Sequence, residues 1–191
     1  MKLYIKNMVC DRCKMVVESE LQKLGHQVAV LGLGEVELQN EQLSKDEIQK
    51  IDDSLRAVGF ELIDDKKTRI IEKIKNTVID LVHHAEHPPV HKHSDIISTA
   101  LNYEYSYLSK LFSEVEGITI EHYIINQKIE RVKELLVYDE LSLTQIADAL
   151  GYSSIAHLSA QFKKATGLPP SHFKNIGEQQ RKALDKVAIK K

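Results

Sequence analysis

Two cysteines are the residues of this chain that are best suited to metal or redox chemistry. Cys10 and Cys13 lie in the stretch Asn-Met-Val-Cys-Asp-Arg-Cys-Lys, which begins at Asn7, and the 191-residue sequence contains no other cysteine. Two cysteines three positions apart at the start of a helix can turn both sulfurs toward one ion. The helix dipole, together with Arg12 and Lys14, favours the thiolate form that binds metals. Two thiolates suit soft Cu(I), whereas Zn(II) prefers about four ligands and needs further donors.

The composition is that of an ordinary globular protein, with 42% hydrophobic residues and a formal net charge of -2. No segment approaches the roughly 18 consecutive apolar residues of a membrane span. Polar residues also interrupt the region where a secretory signal needs an apolar core. We therefore expect a cytoplasmic protein with no membrane partner, in which thiols stay reduced. Residues 151–191 carry 8 Lys or Arg against 2 Asp or Glu, which indicates a polyanionic partner or a solvated lysine-rich helix.

The first 65 residues alternate between strand and helix patterns. Alternating apolar residues predict a strand at each end of this region and a hairpin in its middle. Helical spacing predicts one helix that ends at Gly25 and a second that starts at a capping box formed by Ser44 and Glu47. The order strand-helix-strand-strand-helix-strand predicts a ferredoxin-like domain, residues 1–65, in which two helices cover one antiparallel sheet.

The rest of the sequence predicts a succession of helices. Residues 66–93 are expected to form a helical linker with a hinge at Pro88 and Pro89, which cannot continue a helix. Residues 94–180 form the second predicted domain, and residues 181–191 form a basic tail. The predicted fold class is therefore α+β, with a ferredoxin-like domain followed by an all-α domain.

Two segments of the helical domain resemble each other. Residues 94–117 and 142–167 each predict a short helix, a tight turn and a longer helix, which together make a helix-turn-helix unit. Residues 119–138 contain no helix breaker and predict a single helix of about 30 Å between the two units. This length is close to the roughly 34 Å of one DNA turn, so one chain could place two recognition helices in successive major grooves.

Three stretches near the end of the helical domain carry a family signature. They are Ile-Ala-Asp-Ala-Leu-Gly-Tyr-Ser-Ser from Ile146, Phe-Lys-Lys-Ala-Thr-Gly-Leu-Pro-Pro from Phe162 and Ser-His-Phe-Lys from Ser171. With these motifs, residues from about 68 to 176 resemble the DNA-binding region of AraC/XylS-family transcription regulators. The resemblance implies sequence-specific binding of double-stranded DNA at a promoter. It also implies RNA polymerase and a second copy of the chain as candidate partners.

The same resemblance places particular side chains against DNA. In the first recognition helix the groove-facing positions are Tyr105, Ser106, Ser109 and Lys110. In the second they are Ser154, Ile155, Ala156, His157, Ala160 and Gln161, with Lys163 and Lys164 near phosphate. Regulators of this family often have Arg at the position of Ala160. Ala cannot bind guanine in a bidentate manner, but it can contact the methyl group of thymine.

The first helix-turn-helix unit is acidic for a DNA-binding element. Residues 94–126 contain one strong base, Lys110, against Asp95, Glu104, Glu114, Glu116 and Glu121. Attraction to phosphate must therefore come mainly from the second unit and the tail. We expect DNA binding that is weak and strongly salt-dependent, or that needs a second protein.

The N-terminal domain is similar to heavy-metal-associated domains, the fold of copper chaperones. The similarity rests on the motif Met8-x-Cys10-x-x-Cys13 and on Phe60, which follows Gly59 where bacterial relatives often have Tyr. It implies a soft metal ion, Cu(I) rather than Zn(II), held by the two cysteines, with Met8 packed in the core beneath the loop. Two alternatives stay open: the same fold without metal, and a redox pair. The redox alternative is the weaker one, because the chain has no Trp and no Cys-Gly-Pro-Cys sequence.

Five histidines surround the predicted hinge: His83, His84, His87, His91 and His93. His83 and His87 are one helical turn apart, a spacing compatible with metal ligands. The preferred interpretation is a polar hinge between the two domains.

Two functions are consistent with these patterns. The first is a DNA-binding transcription regulator whose N-terminal domain senses a signal such as a soft metal ion. The second is a metal-trafficking or signalling adaptor whose helical half docks a protein partner, which the acidity of residues 94–126 favours. An enzyme is not expected, because no carboxylate pair, no nucleophile beside a base and no phosphate-binding glycine loop occurs in the sequence.

Overall fold

A computed structural model of the chain describes residues 1–39, 42–63, 66–85 and 87–174. The chain divides into two compact units, Met1–Asn76 and Thr77–Lys191. The predicted basic tail, residues 181–191, lies outside the described residues, and the predicted domain boundaries at residues 65 and 93 stay predictions. Among the helices that the structure describes, none combines the length and the apolar character needed to cross a membrane.

The N-terminal unit is built on a four-stranded antiparallel sheet. Its elements are β1 (Lys2–Lys6), α1 (Asp11–Lys23), β2 (Val28–Gly32), β3 (Glu35–Leu38), α2 (Lys45–Ala57) and β4 (Glu61–Leu62), in the order predicted from the sequence. The strands are arranged β2-β3-β1-β4, and each neighbouring pair runs antiparallel. β1 is therefore an inner strand, with β3 and β4 hydrogen-bonded to its two edges.

The core of this unit follows from the alternation of β1 and the apolar stripes of its two helices. Leu3 and Ile5 are buried on one face of the sheet, where they share a cluster with Leu21 of α1 and Ile51 of α2. Met8 is fully buried in the same cluster, which confirms the expectation that it packs beneath the loop.

The predicted start of α2 is also confirmed. The Ser44 backbone N–H donates to Glu47 Oε2 at 2.8 Å, and the Ser44 hydroxyl accepts from the Glu47 N–H at 3.3 Å. This reciprocal pair satisfies two backbone donors that a helix start otherwise leaves without partners.

The opposite face of the sheet carries Tyr4, which meets the first turns of α3 (Lys66–Ile79). The Arg69 guanidinium carbon lies 4.7 Å from the centre of the Tyr4 ring, and Lys73 Nζ lies 5.7 Å from it. Both distances are within the range of a cation–π contact. The compact unit therefore reaches Asn76, whereas the predicted domain ended at residue 65.

The described residues of the second unit contain a one-turn π-helix, Asp80–His84, followed by six α-helices. They are α4 (His93–Leu101), α5 (Tyr105–Glu116), α6 (Ile120–Tyr138), α7 (Leu143–Ala149), α8 (Ile155–Thr166) and α9 (Pro170–Phe173). The pairs α4–α5 and α7–α8 each consist of a short helix, a tight turn and a longer helix. The internal repeat predicted from the sequence is therefore confirmed at the level of its elements.

The two turns have the same backbone geometry. Asn102 follows α4 with φ 56°, and Gly151 follows α7 with φ +67°. Left-handed backbone is costly for most residues, and Gly and Asn are the two types that adopt it most readily. These residues end the short helices and redirect the chain into α5 and α8.

The repeat extends one element further than the sequence predicted. Phe112 of α5 packs against Tyr123 of α6 with ring centres 5.5 Å apart, and Phe162 of α8 packs against Phe173 of α9 at 5.4 Å. All four rings are buried. Each longer helix is therefore fastened by an aromatic pair to the helix that follows it.

Helix α6 connects the two units of the repeat and is predicted correctly as one uninterrupted helix. Its 19 residues span about 28 Å. Ile129, Val132 and Leu136 lie in the core around α7 and α8. Glu130 and Lys133 are also buried, and their carboxylate and ammonium groups pair at 2.7 Å.

We expect Phe162→Ala to lower the free energy of unfolding of the second unit by about 3–5 kcal/mol, because it deletes a fully buried ring and leaves a cavity against Phe173. Denaturant unfolding of the full chain measures this change. Val115→Ala is the matched control, because Val115 is 53% exposed on α5 and its loss should change stability by no more than about 0.5 kcal/mol. Equal effects of the two substitutions would contradict the packing described for α8.

Candidate nucleic-acid interface

Helix α8 is held by one face and exposes the other. Leu158 and Phe162 are fully buried, while Ala156, Ala160 and Lys164 on the far side of the helix are exposed. The helix begins at Ser154, whose hydroxyl accepts a hydrogen bond from the His157 N–H at 3.1 Å. This arrangement is that of a recognition helix, which buries one face and offers the other to the major groove.

A cluster of polar contacts fixes the orientation of α8. The Tyr152 hydroxyl donates to Gln161 Oε1 at 2.7 Å, and burial raises the pKa of Tyr152 to about 12, so it stays protonated. The His157 ring meets the Tyr152 ring edge-on at 5.4 Å, and its Nδ1 lies 3.1 Å from Ser153 Oγ. Two predicted groove residues, Gln161 and His157, therefore also make contacts inside their own domain.

Helix α5 has the same construction with different side chains. Leu108 and Phe112 are buried, Ser106 and Lys110 are exposed, and Ser109 is half-buried. The four residues proposed to face DNA on this helix thus include two that are open to solvent and one that is partly covered.

Tyr105, the fourth of these residues, fastens α5 to α6. It is half-buried, and its hydroxyl donates to Glu121 Oε1. Burial, followed by the neighbouring Glu121 carboxylate, raises the pKa of Tyr105 well above its ordinary value. The tyrosine is therefore a neutral donor that connects α5 to α6.

Tyr107 was not among the predicted groove residues. It is 45% exposed on α5, and its ring packs on Tyr103 with centres 5.5 Å apart. In the second helix-turn-helix unit, His157 packs on Tyr152 at the equivalent positions. Alignment of the two repeats on Leu108 and Leu158 pairs Tyr107 with His157, which is a predicted groove residue. This alignment could have identified Tyr107 as a candidate groove residue.

The cysteine pair lies at the start of α1 in the N-terminal unit. Cys10 is the N-cap residue, and its Sγ is 3.5 Å from Sγ of Cys13. Burial raises the pKa of the Cys13 thiol, which differs from the sequence-based expectation that nearby positive charge would lower it. The Lys14 ammonium pairs with Asp11 at 2.9 Å. Within the described residues there is no group of three or more His, Cys, Asp or Glu side chains that could hold a metal ion.

The histidines near the predicted hinge make separate contacts. His83 Nε2 donates to Gln127 Oε1 at 2.9 Å, and Gln127 Nε2 donates to the Tyr123 hydroxyl at 2.9 Å. His84 instead pairs with Asp80 at 2.9 Å. His83 thus belongs to a hydrogen-bonded chain that joins the π-helix to the core of the first helix-turn-helix unit.

Residues 97–176 match the family model described as "Helix-turn-helix domain". The C-terminal part of the chain is a helix-turn-helix domain. Its longer helices, α5 and α8, occupy the second position of the two helix-turn-helix units. The helix-turn-helix part of the resemblance drawn from the sequence is confirmed for residues 97–176. The finer assignment to AraC-type regulators and the resemblance of the N-terminal part to heavy-metal-associated domains stay predictions.

Several curated relatives match parts of the chain. An uncharacterized HTH-type transcriptional regulator of Bacillus subtilis, YtdP, is 24% identical over 165 residues, which are 81% of this chain and 21% of the relative. The Msm operon regulatory protein of Streptococcus mutans is 33% identical over 78 residues, 41% of this chain and 28% of that protein. The Xylose operon regulatory protein of Escherichia coli is 31% identical over 85 residues, 44% of this chain and 22% of that protein.

The chain spans between about a fifth and a third of the length of these relatives. All three are named as regulators and none as an enzyme, in agreement with the prediction that the chain is not an enzyme. Among solved structures, the C-terminal domain of AraT, a response regulator from Geobacillus stearothermophilus, is 23% identical. It covers 62% of this chain and 92% of that chain, with a TM-score of 0.49.

The stability of the second unit should fall as the pH drops below about 6.5, the ordinary pKa of histidine. Burial lowers the pKa of His83, and the positive charge of Arg131 lowers it further, while the Gln127 hydrogen bond and Glu134 act in the opposite direction. The unfolded chain therefore binds the proton more readily than the folded chain, so acid favours unfolding.

Thermal unfolding between pH 5 and 7.5 tests this prediction. His83→Gln keeps a donor toward Gln127 but cannot titrate, so its melting temperature should depend less on pH than that of the wild type. His84→Gln, which removes an exposed histidine bonded to Asp80, is the matched control. If the melting temperature of His83→Gln depends on pH as steeply as that of the wild type, this account of His83 is wrong.

Proposed function

We propose that the chain is an AraC-type transcription regulator that binds promoter DNA in a sequence-specific manner through α5 and α8. The observation that carries the proposal is the pair of helix-turn-helix units, each with a buried anchor and an exposed helix face, joined by one uninterrupted helix. Bound to promoter DNA in the cytoplasm, such a protein would act on RNA polymerase.

The length of α6 supports binding to one side of the duplex. Its span of about 28 Å is comparable to the roughly 34 Å between successive major grooves. The recognition helices are also fixed relative to their neighbours, because Tyr105 bonds to Glu121 and Tyr152 bonds to Gln161. A rigid arrangement of this kind lowers the entropy that is lost on binding.

Charge is distributed unequally between the two recognition helices. Helix α8 has no acidic residue and ends with the exposed Lys163 and Lys164, whereas α5 carries Lys110 together with Glu114. Among the described residues, the second helix-turn-helix unit therefore supplies most of the attraction to phosphate. The weak attraction of the first unit is the reason to propose that a second copy of the chain, or another protein, binds beside it.

Selection of bound fragments from genomic DNA at about 100 mM salt tests the proposal, with the purified full chain as bait. We expect a common sequence of two half-sites to be enriched. If nothing is enriched above background, direct DNA binding is wrong and the adaptor alternative, in which the helical half docks a protein, is favoured.

Lys163→Ala/Lys164→Ala should weaken binding to all sequences and reduce the dependence of log Kd on log salt concentration by about 2, because each lost phosphate contact releases about one fewer counterion. Fluorescence anisotropy at several salt concentrations measures this slope. Lys50→Ala on α2 is the matched control, since Lys50 is exposed in the N-terminal unit and should leave the slope unchanged. A double variant with the wild-type slope would exclude these lysines from the interface.

We further propose that the N-terminal unit is a ferredoxin-like domain of the heavy-metal-associated type that binds Cu(I) through Cys10 and Cys13. The element order and the strand order β2-β3-β1-β4 support the fold. Sulfurs bound to one ion at about 2.3 Å lie at most about 4.6 Å apart, so their separation of 3.5 Å fits a shared ion. Two thiolates without a third protein ligand suit Cu(I) better than Zn(II).

Metal binding would regulate transcription only if the ion changes the relative stability of two states that differ in DNA affinity. The ion would supply charge neutralisation of the two thiolates at the start of α1. Because burial disfavours the Cys13 thiolate, ion binding must release a proton from that residue at neutral pH.

Titration of Cu(I) in the presence of a competing chelator should show one ion bound per wild-type chain and none per Cys10→Ser/Cys13→Ser chain. Asp11→Asn is the matched control, because the Asp11 side chain is 91% exposed between the cysteines and should not contribute a ligand. Equal uptake by the wild type and the double serine variant would rule out a metal site at the cysteine pair.

A further inference from the structure

The exposed face of α8 is centred on alanine. Successive residues of a helix are rotated by about 100°, which places Ala160 opposite the buried side chains of Leu158 and Phe162. Ala156 lies one turn earlier on nearly the same line, and both alanines are exposed. We call Ala156 and Ala160 the methyl pair.

Three polar side chains around the methyl pair, those of Ser154, His157 and Gln161, have partners inside the domain. Gln161 Oε1 accepts from Tyr152, His157 Nδ1 contacts Ser153, and the Ser154 hydroxyl accepts from the backbone of His157. No charged side chain occurs between Ile155 and Phe162. The centre of this recognition face therefore offers apolar methyl groups.

Helix α5 presents different chemistry at the equivalent positions. Ser106 and Lys110 occupy the places of Ala156 and Ala160 when the repeats are aligned on Leu108 and Leu158, and both are exposed. Lysine donates to the O6 and N7 acceptors of guanine, while an alanine methyl contacts the C5-methyl group of thymine. The two helices thus differ most where a recognition helix points into the groove.

We propose that the operator is chemically asymmetric: the half-site under α8 contains thymines that the methyl pair reads through their C5-methyl groups, and Lys110 selects guanine in the half-site under α5. This inference rests on the proposed function and specifies what each half-site contains. Lys163 and Lys164, one turn beyond Ala160, anchor the helix to phosphate without selecting a base.

Uracil substitution tests the thymine contacts directly, because uracil differs from thymine by the methyl group alone. In the selected operator, each thymine is replaced in turn by deoxyuridine, and Kd is measured by fluorescence anisotropy with the full chain. We expect losses of about fourfold per contacted methyl group, confined to one half-site. Uracil in the other half-site is the internal control and should leave the Kd unchanged.

A double-mutant cycle connects the lost methyl group to the methyl pair. Ala160→Gly should abolish the difference between thymine and uracil at one position, whatever its effect on helix stability, because that difference is measured on the same variant. Ala165→Gly is the matched control: Ala165 is exposed on α8 but lies away from the face centred on Ala160, so the fourfold difference should persist. Ala160→Lys should shift the preferred base at that position from thymine toward guanine.

The outcomes separate the inference from the proposed function. An enriched operator that binds equally well with uracil at every thymine overturns the asymmetric readout and leaves DNA-binding regulation intact. Identical behaviour of Ala160→Gly and Ala165→Gly on the uracil-substituted operators likewise overturns the role of the methyl pair. A failure to enrich any sequence overturns the proposed function, and the inference with it.

Discussion

The aromatic pair formed by Phe162 and Phe173 is the contact on which the orientation of α8 depends. An α-helix has no intrinsic reason to present one face rather than another. The buried ring of Phe162, held edge-on against Phe173, sets the rotation of α8 about its axis. Phe112 and Tyr123 do the same for α5. With these rings in place, α5 and α8 each present a fixed set of exposed side chains, which is what the proposed reading of DNA requires.

Much of this architecture could be predicted because its signals are local. Ser44 and Glu47 specify a helix start through contacts three residues apart, and the order of strands and helices follows from hydrophobic periods. The break between α4 and α5 follows from the same logic, because a short helix must end where the backbone becomes left-handed at Asn102. The internal repeat then indicated a second copy of this unit, which the structure contains.

The roles of particular site residues were harder to predict because they depend on tertiary contacts. Tyr105 and Gln161 occupy groove-facing positions in the sequence pattern, yet each bonds to a partner in its own domain, Glu121 and Tyr152. The hydrogen bond between Tyr105 and Glu121 joins residues 16 positions apart, and no local sequence pattern predicts it. The pKa of Cys13 differs from expectation for a related reason, because the charges near it are visible in the sequence and the depth of its burial is not.

The linker helix α6 has a consequence for where such a protein can act in a genome. A helix with a buried ion pair and a packed apolar face keeps a fixed length, so it holds the two helix-turn-helix units at a fixed separation. Regulators whose DNA-binding units are joined by flexible segments can tolerate half-sites at several separations. Under the proposed function, a chain with a rigid connecting helix requires one separation and one rotational phase of its half-sites. A one-base-pair insertion between them, which rotates the duplex by roughly a tenth of a turn, is then already a mismatch.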